Sequence, residues 1–481
     1  MKKELSFVLN YALNKGFQIH PDAFKILENV DVKKLEKIIK EIVRDKTKQK
    51  LFQINQDDLE TYLGIKEDAS LQSEVKVLFD PTSKITSGEG VKGYNALFSS
   101  RFNKLKRIVS DRPESKLLKS AASLKNAKIE DDLYVCGLVT SRNSERKITK
   151  IVLEDPSGSF EGIIFDEELQ KTAETLLLDQ FVMARIGSAK NSGYIIKDLI
   201  LPDLPEQAKN KSESEAYAVF LSDLHIGSKY FMEEEFSDFV SWMSSPDPVA
   251  RRIRFVLIGG DIVDGVGIYP NQNKELVCQT IQEQLKKVEE LIDKIPKNVK
   301  IIIMPGNHDP GRRALPQPAI PKKYNSGLWE RENVIMVGNP AVVSLNGVKI
   351  SMFHGQSIDD IVKTTPGLSY DRPANVMKHL LRARHLSPIY GSQTPIAPEM
   401  EDLLVIQEIP DIFHVGHVHR AQLDMYKGIL LVNSGSWQKQ TPFQASVGMT
   451  PNPGIAILVN LKTFQVFHQN YSSNLDNILQ S

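Results

Sequence analysis

A layered α/β domain, preceded by a small β-barrel and an N-terminal helical region, is the fold predicted by this 481-residue sequence. Three observations lead there. From Ala216 onward, strand-length apolar runs alternate with helical stretches, as they do where helices cover a mostly parallel sheet. Between Leu133 and Leu199, three short β runs, a helix and two more β runs follow one another with turn residues between them. Before Tyr94, apolar residues recur at helical spacing in two segments.

In chain order, residues 1–65 read as a small helical domain: Leu5, Val8, Leu9, Ala12 and Leu13 form one apolar stripe, and Val32, Leu35, Ile38, Ile39 and Ile42 a second. Residues 66–127 read as a linker and a basic helical segment. The linker is polar and carries Gly88, Gly90 and Gly93. The segment from Arg101 to Lys128 is rich in Lys and Arg, which fits either a solvated helix face or a nucleic-acid contact.

Residues 128–204 hold the strand-strand-strand-helix-strand-strand order of an OB barrel. Such barrels bind single strands when exposed rings form stacking platforms. Here the candidate rings are few (Tyr134, Phe160 and Tyr194), which leaves docking to another protein beside DNA binding. After a polar linker, residues 215–475 form the layered α/β domain.

Bulk properties exclude several classes. Sixty Lys and Arg balance sixty Asp and Glu, so overall charge gives no nucleic-acid signal. The two cysteines, Cys136 and Cys278, are far apart and make neither a disulfide framework nor a thiolate zinc site. No apolar stretch approaches the roughly 18 residues a membrane span needs, and Met1 to Asn10 lacks a signal-peptide pattern. A cytoplasmic protein without membrane association is expected.

The chemistry is concentrated at five strand ends. Ala216–Leu221 runs into Ser222-Asp223-Leu224-His225, and Ile253–Ile258 into Gly259-Gly260-Asp261-Ile262-Val263-Asp264. Val299–Met304 runs into Gly306-Asn307-His308-Asp309, Val348–Phe353 into His354-Gly355, and Ile412-Phe413 into His414-Val415-Gly416-His417-Val418-His419. Taken singly, each has an ordinary reading: a cap, a tight turn, a satisfied histidine. Taken together they supply two carboxylates, an amide oxygen and four imidazoles at sheet ends, where polar side chains can cluster outside the core. That is a sufficient ligand set for two metal ions sharing one carboxylate.

These motifs resemble the calcineurin-like metallophosphoesterases over residues 216 to about 470. The resemblance implies that Asp223, His225 and His419 hold one ion, that Asn307, His354 and His417 hold the other, and that Asp261 bridges them. It implies that His308 is catalytic, binding the phosphate and assisting the leaving group. A finer likeness lies in Asp309-Pro310-Gly311-Arg312-Arg313, in His354-Gly355-Gln356-Ser357-Ile358-Asp359-Asp360 and in Arg384-His385-Leu386-Ser387-Pro388. With the barrel ahead of the phosphoesterase domain, these resemble the small subunits of archaeal family-D DNA polymerases. That likeness implies a 3′→5′ proofreading exonuclease using two divalent ions, Mn²⁺ by preference, acting on single-stranded or mismatched DNA 3′ ends. It also implies a heterodimer with a large polymerising subunit. Arg312 and Arg313, following the Asn307-His308 loop, are expected to hold the DNA backbone; an exposed surface pair is the other reading. The residues alone specify phosphoester hydrolysis, so a phosphodiesterase on another substrate and a non-catalytic scaffold stay open.

Overall fold

The computed structural model describes residues 3–21, 23, 27, 32–48, 51–62, 73–124, 133–145, 147–188, 193–245, 247–446 and 448–472. Among these, no helix is long and apolar enough to cross a membrane.

The large domain is built on two six-stranded sheets packed face to face. In the first, Val334–Met336, Lys300–Met304, Ile253–Gly259 and Tyr217–Leu221 run parallel, and the antiparallel strands Ile455–Asn460 and Val466–Asn470 extend its edge. In the second, Ile429–Ser434, Ile412–Val415 and Val348–Phe353 run parallel at the centre, flanked by Ala421–Tyr426 and Ala341–Leu345. Strand periodicity divides the apolar side chains between two faces. Ala218 and Phe220 point between the sheets, where they pack with Phe255, Ile302, Ile350 and Val432. Val219 and Leu221 point outward, against helices carrying Phe236, Phe239, Leu285 and Val288. The outer face of the second sheet is covered likewise by Ile361, Val376 and Leu380. Both central groups of strands are buried on both faces, which accounts for their near-continuous apolar sequences.

The barrel follows the order Leu133–Glu145, Ile148–Asp155, Gly158–Ile164, Tyr194–Ile200, Phe181–Ser188, and closes by pairing Leu133–Glu145 with Phe181–Ser188. The strands Gly158–Ile164 and Tyr194–Ile200 meet in parallel, Gly162 opposite Tyr194, and helix Glu167–Glu174 lies between the third and fourth strands of the chain. This is the OB topology expected from the sequence. None of the three candidate rings forms an exposed platform. Phe160 is buried, Tyr194 packs edge-on against it at 6.1 Å, and Tyr134 lies in the seam with the neighbouring helix.

The stretch read as a linker holds structure. Val75–Phe79 adds an antiparallel edge strand to the second sheet of the large domain, beside Ala341–Leu345. Helix Gly90–Val109 then wedges between barrel and large domain, packing Phe102, Leu105 and Val109 against Cys136, Phe181 and Val405. Three basic residues of this segment, Arg101, Lys104 and Arg112, tie the domains together. Arg101 is fully buried: its Nε donates to Asp402 Oδ2 at 2.8 Å and its Nη1 to the Pro388 carbonyl at 2.6 Å. His385 Nε2 meets the same Asp402 oxygen at 2.9 Å. Lys104 reaches the Asp402 carbonyl at 2.7 Å, and Arg112 the carbonyls of Leu201 and Pro202, both at 2.7 Å. Their targets are distant in the chain, so local sequence carries no sign of them. Lys106, Arg107, Lys116 and Lys119, by contrast, are exposed, as a solvated helix face would have them.

The N-terminal unit has its own small core, Leu9, Ala12 and Phe17 against Leu35, Ile39 and Ile42. Two short strands, Gln18–Ile19 and Gln53–Ile54, pair in parallel beside it.

Candidate metal centre

Each predicted ligand sits just past the C-terminal end of a central strand, and both sheets contribute. Five of these residues occupy the left-handed backbone region, with φ of 53° at Asp223, 50° at His225, 50° at Asp261, 70° at His417 and 54° at His419. Side chains other than glycine avoid that conformation, at a cost of order 1 kcal/mol or more each, so such a concentration marks a place where geometry is held for chemistry. The adjoining glycines are dictated by the same crowding: a Cβ on Gly306 would lie 2.2 Å from Asp261 Oδ1, and one on Gly416 2.6 Å from Asp223 Oδ2.

The side chains converge as two groups. In one, His225 Nε2 and His419 Nε2 are 3.0 Å apart and lie 3.8 and 3.5 Å from Asp223 Oδ1. In the other, His354 Nε2 lies 3.0 Å from Asn307 Oδ1 and 3.3 Å from Asp261 Oδ2, with the His417 ring close by, 5.2 Å from that of His354. Asp261 Oδ2 is also 3.9 Å from His225 Nε2, so this carboxylate stands between the groups. Asp223, His225 and His419 on one side, and Asp261, His354 and His417 on the other, each present ligand atoms close enough to share an ion. Asp223 Oδ1 is buried without a hydrogen-bond donor, which is the state a cation would relieve.

The electrostatics agree with that fit. Burial disfavours charge on Asp223, yet His419 and His354 hold it down at about 2. Burial likewise works against Asp261, but His354 and His308 bring it well below the usual carboxylate range. Burial opposes a charge on His354, but Asp261 and Asp223 outweigh it and push this imidazole up to about 10. Without metal, protons on imidazoles thus compensate the buried carboxylates.

Outer partners aim the rings. His225 Nδ1 faces Asp264 Oδ1 at 3.2 Å, and His354 Nδ1 the Gly259 carbonyl at 2.9 Å. His417 Nε2 meets Asp359 at 3.1 Å, and Gln444 reaches His419 Nδ1 at 2.9 Å. Fixing one ring nitrogen leaves the other for an ion. Asp359 lies within a family-like stretch, but Gln272, Gln438 and Gln444, which brace Asp264 and His419, carried no sequence signal. Asp309 does not touch the His308 ring. It accepts from the backbone NH groups of Ile262, Val263 and Gly306, locking two ligand loops together, and burial beside Asp261 raises it to about 7.

His308 stands at the pocket's rim. Its Nδ1 is 2.7 Å from the Asp264 carbonyl, and its Nε2 looks inward, 3.9 Å from Asp261 Oδ2. Arg312 is held by Glu399 at 2.6 Å and by the Pro316 carbonyl, whereas Arg313 is exposed. Of the basic residues further along, Arg384 is buried and Lys378 pairs with Asp424. His414, in the same motif as the ligands, lies buried against Ser434 at 3.0 Å; burial pushes it down to about 3, and it takes no place in either group.

Comparison with known proteins adds lineage to this geometry. The profile of the B-subunit family of DNA polymerases alpha and epsilon matches residues 218–423, and that of the OB-fold nucleic acid binding domain matches residues 133–197. The DNA polymerase II small subunit of Archaeoglobus fulgidus is 40% identical, over 79% of this chain and 77% of its own length. Its counterpart from Methanothermobacter thermautotrophicus is 37% identical, over 80% of this chain and 81% of its own. That from Pyrococcus horikoshii is 36% identical, over 84% and 67% respectively.

Proposed function

The chain belongs to the family of archaeal DNA polymerase II small subunits, and from that premise we propose that it is an active two-metal phosphodiesterase, a 3′→5′ exonuclease that trims single-stranded or mismatched 3′ ends. One observation carries the reading: seven potential ligands from five strand ends meet in one pocket around a buried, unpartnered carboxylate oxygen. A family member serving only as a scaffold has no need of that arrangement.

Asp223, His225 and His419 would hold one ion, Asn307, His354 and His417 the other, with Asp261 shared. Mixed imidazole and oxygen ligation suits Mn²⁺ better than Mg²⁺. When bound, such a pair neutralises the phosphate and supplies a nucleophile from water at neutral pH. The chain's own residues do the rest. In-line attack builds charge on the departing 3′-oxygen, and His308, its Nδ1–H held by the Asp264 carbonyl, would hand over the second proton of its imidazolium form from Nε2. Arg313 lies exposed on the loop that Arg312 and Glu399 brace, and serves as the contact to a DNA phosphate. The partner is the large polymerising subunit, in a heterodimer working in the cytoplasm. The barrel, whose candidate rings are turned inward, serves docking more than strand binding.

Degradation of a 3′-mismatched primer with Mn²⁺, set against nitrophenyl phosphate, a cyclic nucleotide and a phosphopeptide, tests the proposal. Primer degradation that is lost in His354→Ala supports it. Equal background for wild type and variant on every substrate leaves the scaffold role.

A further inference from the structure

Beside the pocket, on the side of His225, His308 and His419, a loop and a short helix, Pro442–Ser446, bring Tyr269 and Phe443 into a near-parallel stack, with ring centroids 5.7 Å apart and planes 18° from parallel. Among the described residues, the other stacked pair, Phe239 with Trp242, lies within one helix and helps fill the core. Tyr269 and Phe443 come from separate segments, and Phe443 remains 51% exposed. An apolar ring so placed gains little for folding, since half of its surface stays in water.

Both segments are fastened to the pocket by buried amides. Gln272 closes the Tyr269 loop: its Nε2 donates to the Asp264 carbonyl and to Asp264 Oδ2, both at 2.8 Å, while its Oε1 accepts from the Ile268 NH at 2.9 Å. The Tyr269 hydroxyl is further held by Glu275 at 3.0 Å. Phe443 directly precedes Gln444, whose amide lies 2.9 Å from His419 Nδ1. Asp264 in turn positions His225 and His308. The stack is therefore built on the residues that aim the site, which fixes its height and direction relative to any phosphate bound there.

We propose that the Tyr269–Phe443 stack is a platform for the nucleobase next to the scissile phosphate, with the base lying on the exposed face of Phe443. The inference rests on the nuclease reading above. Every base has a π-face, so such a contact holds a strand end without regard to sequence. A paired base cannot leave its stack without losing that partner, so the platform favours frayed and mismatched ends over paired ones.

Three 5′-labelled oligonucleotides test this with the full-length chain: one intact, one abasic at the 3′-terminal nucleotide, one abasic at the penultimate nucleotide. For wild type, KM rises about tenfold with one of the abasic strands, as removal of one base–ring contact implies. Phe443→Ala brings the intact strand to that same raised KM, Phe443→Trp restores the gap, and Phe443→Leu, apolar but without a ring face, does not. Equal KM for all three strands with wild type overturns the platform while leaving the nuclease intact, and so does a gap that persists in Phe443→Ala. Failure of wild type to degrade any DNA while it hydrolyses another phosphodiester overturns the nuclease reading itself, and the platform with it.

Discussion

Among the described residues, two buried clusters of aspartate and histidine are made on opposite plans. Around Asp402 the charges close on one another: Arg101 Nε and His385 Nε2 share one carboxylate oxygen, and the Leu404 NH donates to the other at 2.9 Å. Around Asp223 and Asp261 the imidazoles crowd together, yet one carboxylate oxygen has no donor, and the backbone is held in a left-handed conformation at five positions. The first cluster satisfies both carboxylate oxygens from within the chain, although Arg101 Nη2 stays without a partner, and it fastens the barrel to the large domain. The second has the donors to hold a cation. Burial and residue type do not separate the two clusters; a carboxylate oxygen without a donor and a strained backbone do.

Removing one member from each tests the contrast. Asp402→Ala leaves Arg101 buried without its counter-charge and should destabilise the fold by about 3–5 kcal/mol in chemical denaturation. Replacing the whole knot with Arg101→Met, Asp402→Leu and His385→Phe together should recover most of that loss. The reverse is expected in the pocket. His354→Ala should lower hydrolysis more than about 100-fold, beyond what losing an outer partner costs. An unchanged rate in His354→Ala, or no stability loss in Asp402→Ala, would collapse the distinction.

The two clusters should also titrate in opposite senses. Burial and Arg101 push His385 down to about 4, below its unfolded value near 6.5. Its contribution is whole above about pH 6.5 and is lost as pH falls towards 4. His354 is raised to about 10, so in metal-free protein its contribution is whole below about 6.5 and is lost as pH rises through 10. Stability curves in chelator should therefore show the apolar triple variant losing less than wild type between pH 7 and 5, by on the order of 2 kcal/mol. An identical slope would remove His385 from the account. The smallest effect belongs to Gln444→Ala, which frees His419 Nδ1 and should weaken metal uptake about tenfold in a Mn²⁺ titration, with little change in stability.

The same contrast explains what could be read from the sequence. The convergence of these side chains was legible because each candidate ligand is tied to its strand by covalent proximity: Asp223, Asp261, Asn307 and His354 follow apolar runs within a few residues, and His417 and His419 share one short loop. The barrel was legible because its strand order is local. The knot was not, because Arg101 meets Asp402 across the chain and looks, in sequence, like any lysine or arginine on a basic helix. Val75–Phe79 was hidden for a similar reason. Its register comes from Ala341–Leu345, and it is a run of only five residues within the polar surroundings that suggested a linker. Arg312 was expected on the DNA backbone, but Glu399, a residue distant in sequence, holds it.

Each half of the pocket takes ligands from both sheets: Asp223 and His225 come from the first and His419 from the second, while Asn307 pairs with His354 across the same divide. A bound cation would then act as a rivet through the sandwich, and a slip of one sheet along the other by a single residue would pull both half-sites open. Occupancy of the centre thereby reports on the alignment of the entire domain, and any force the larger assembly exerts on one sheet has a direct mechanical route to the chemistry.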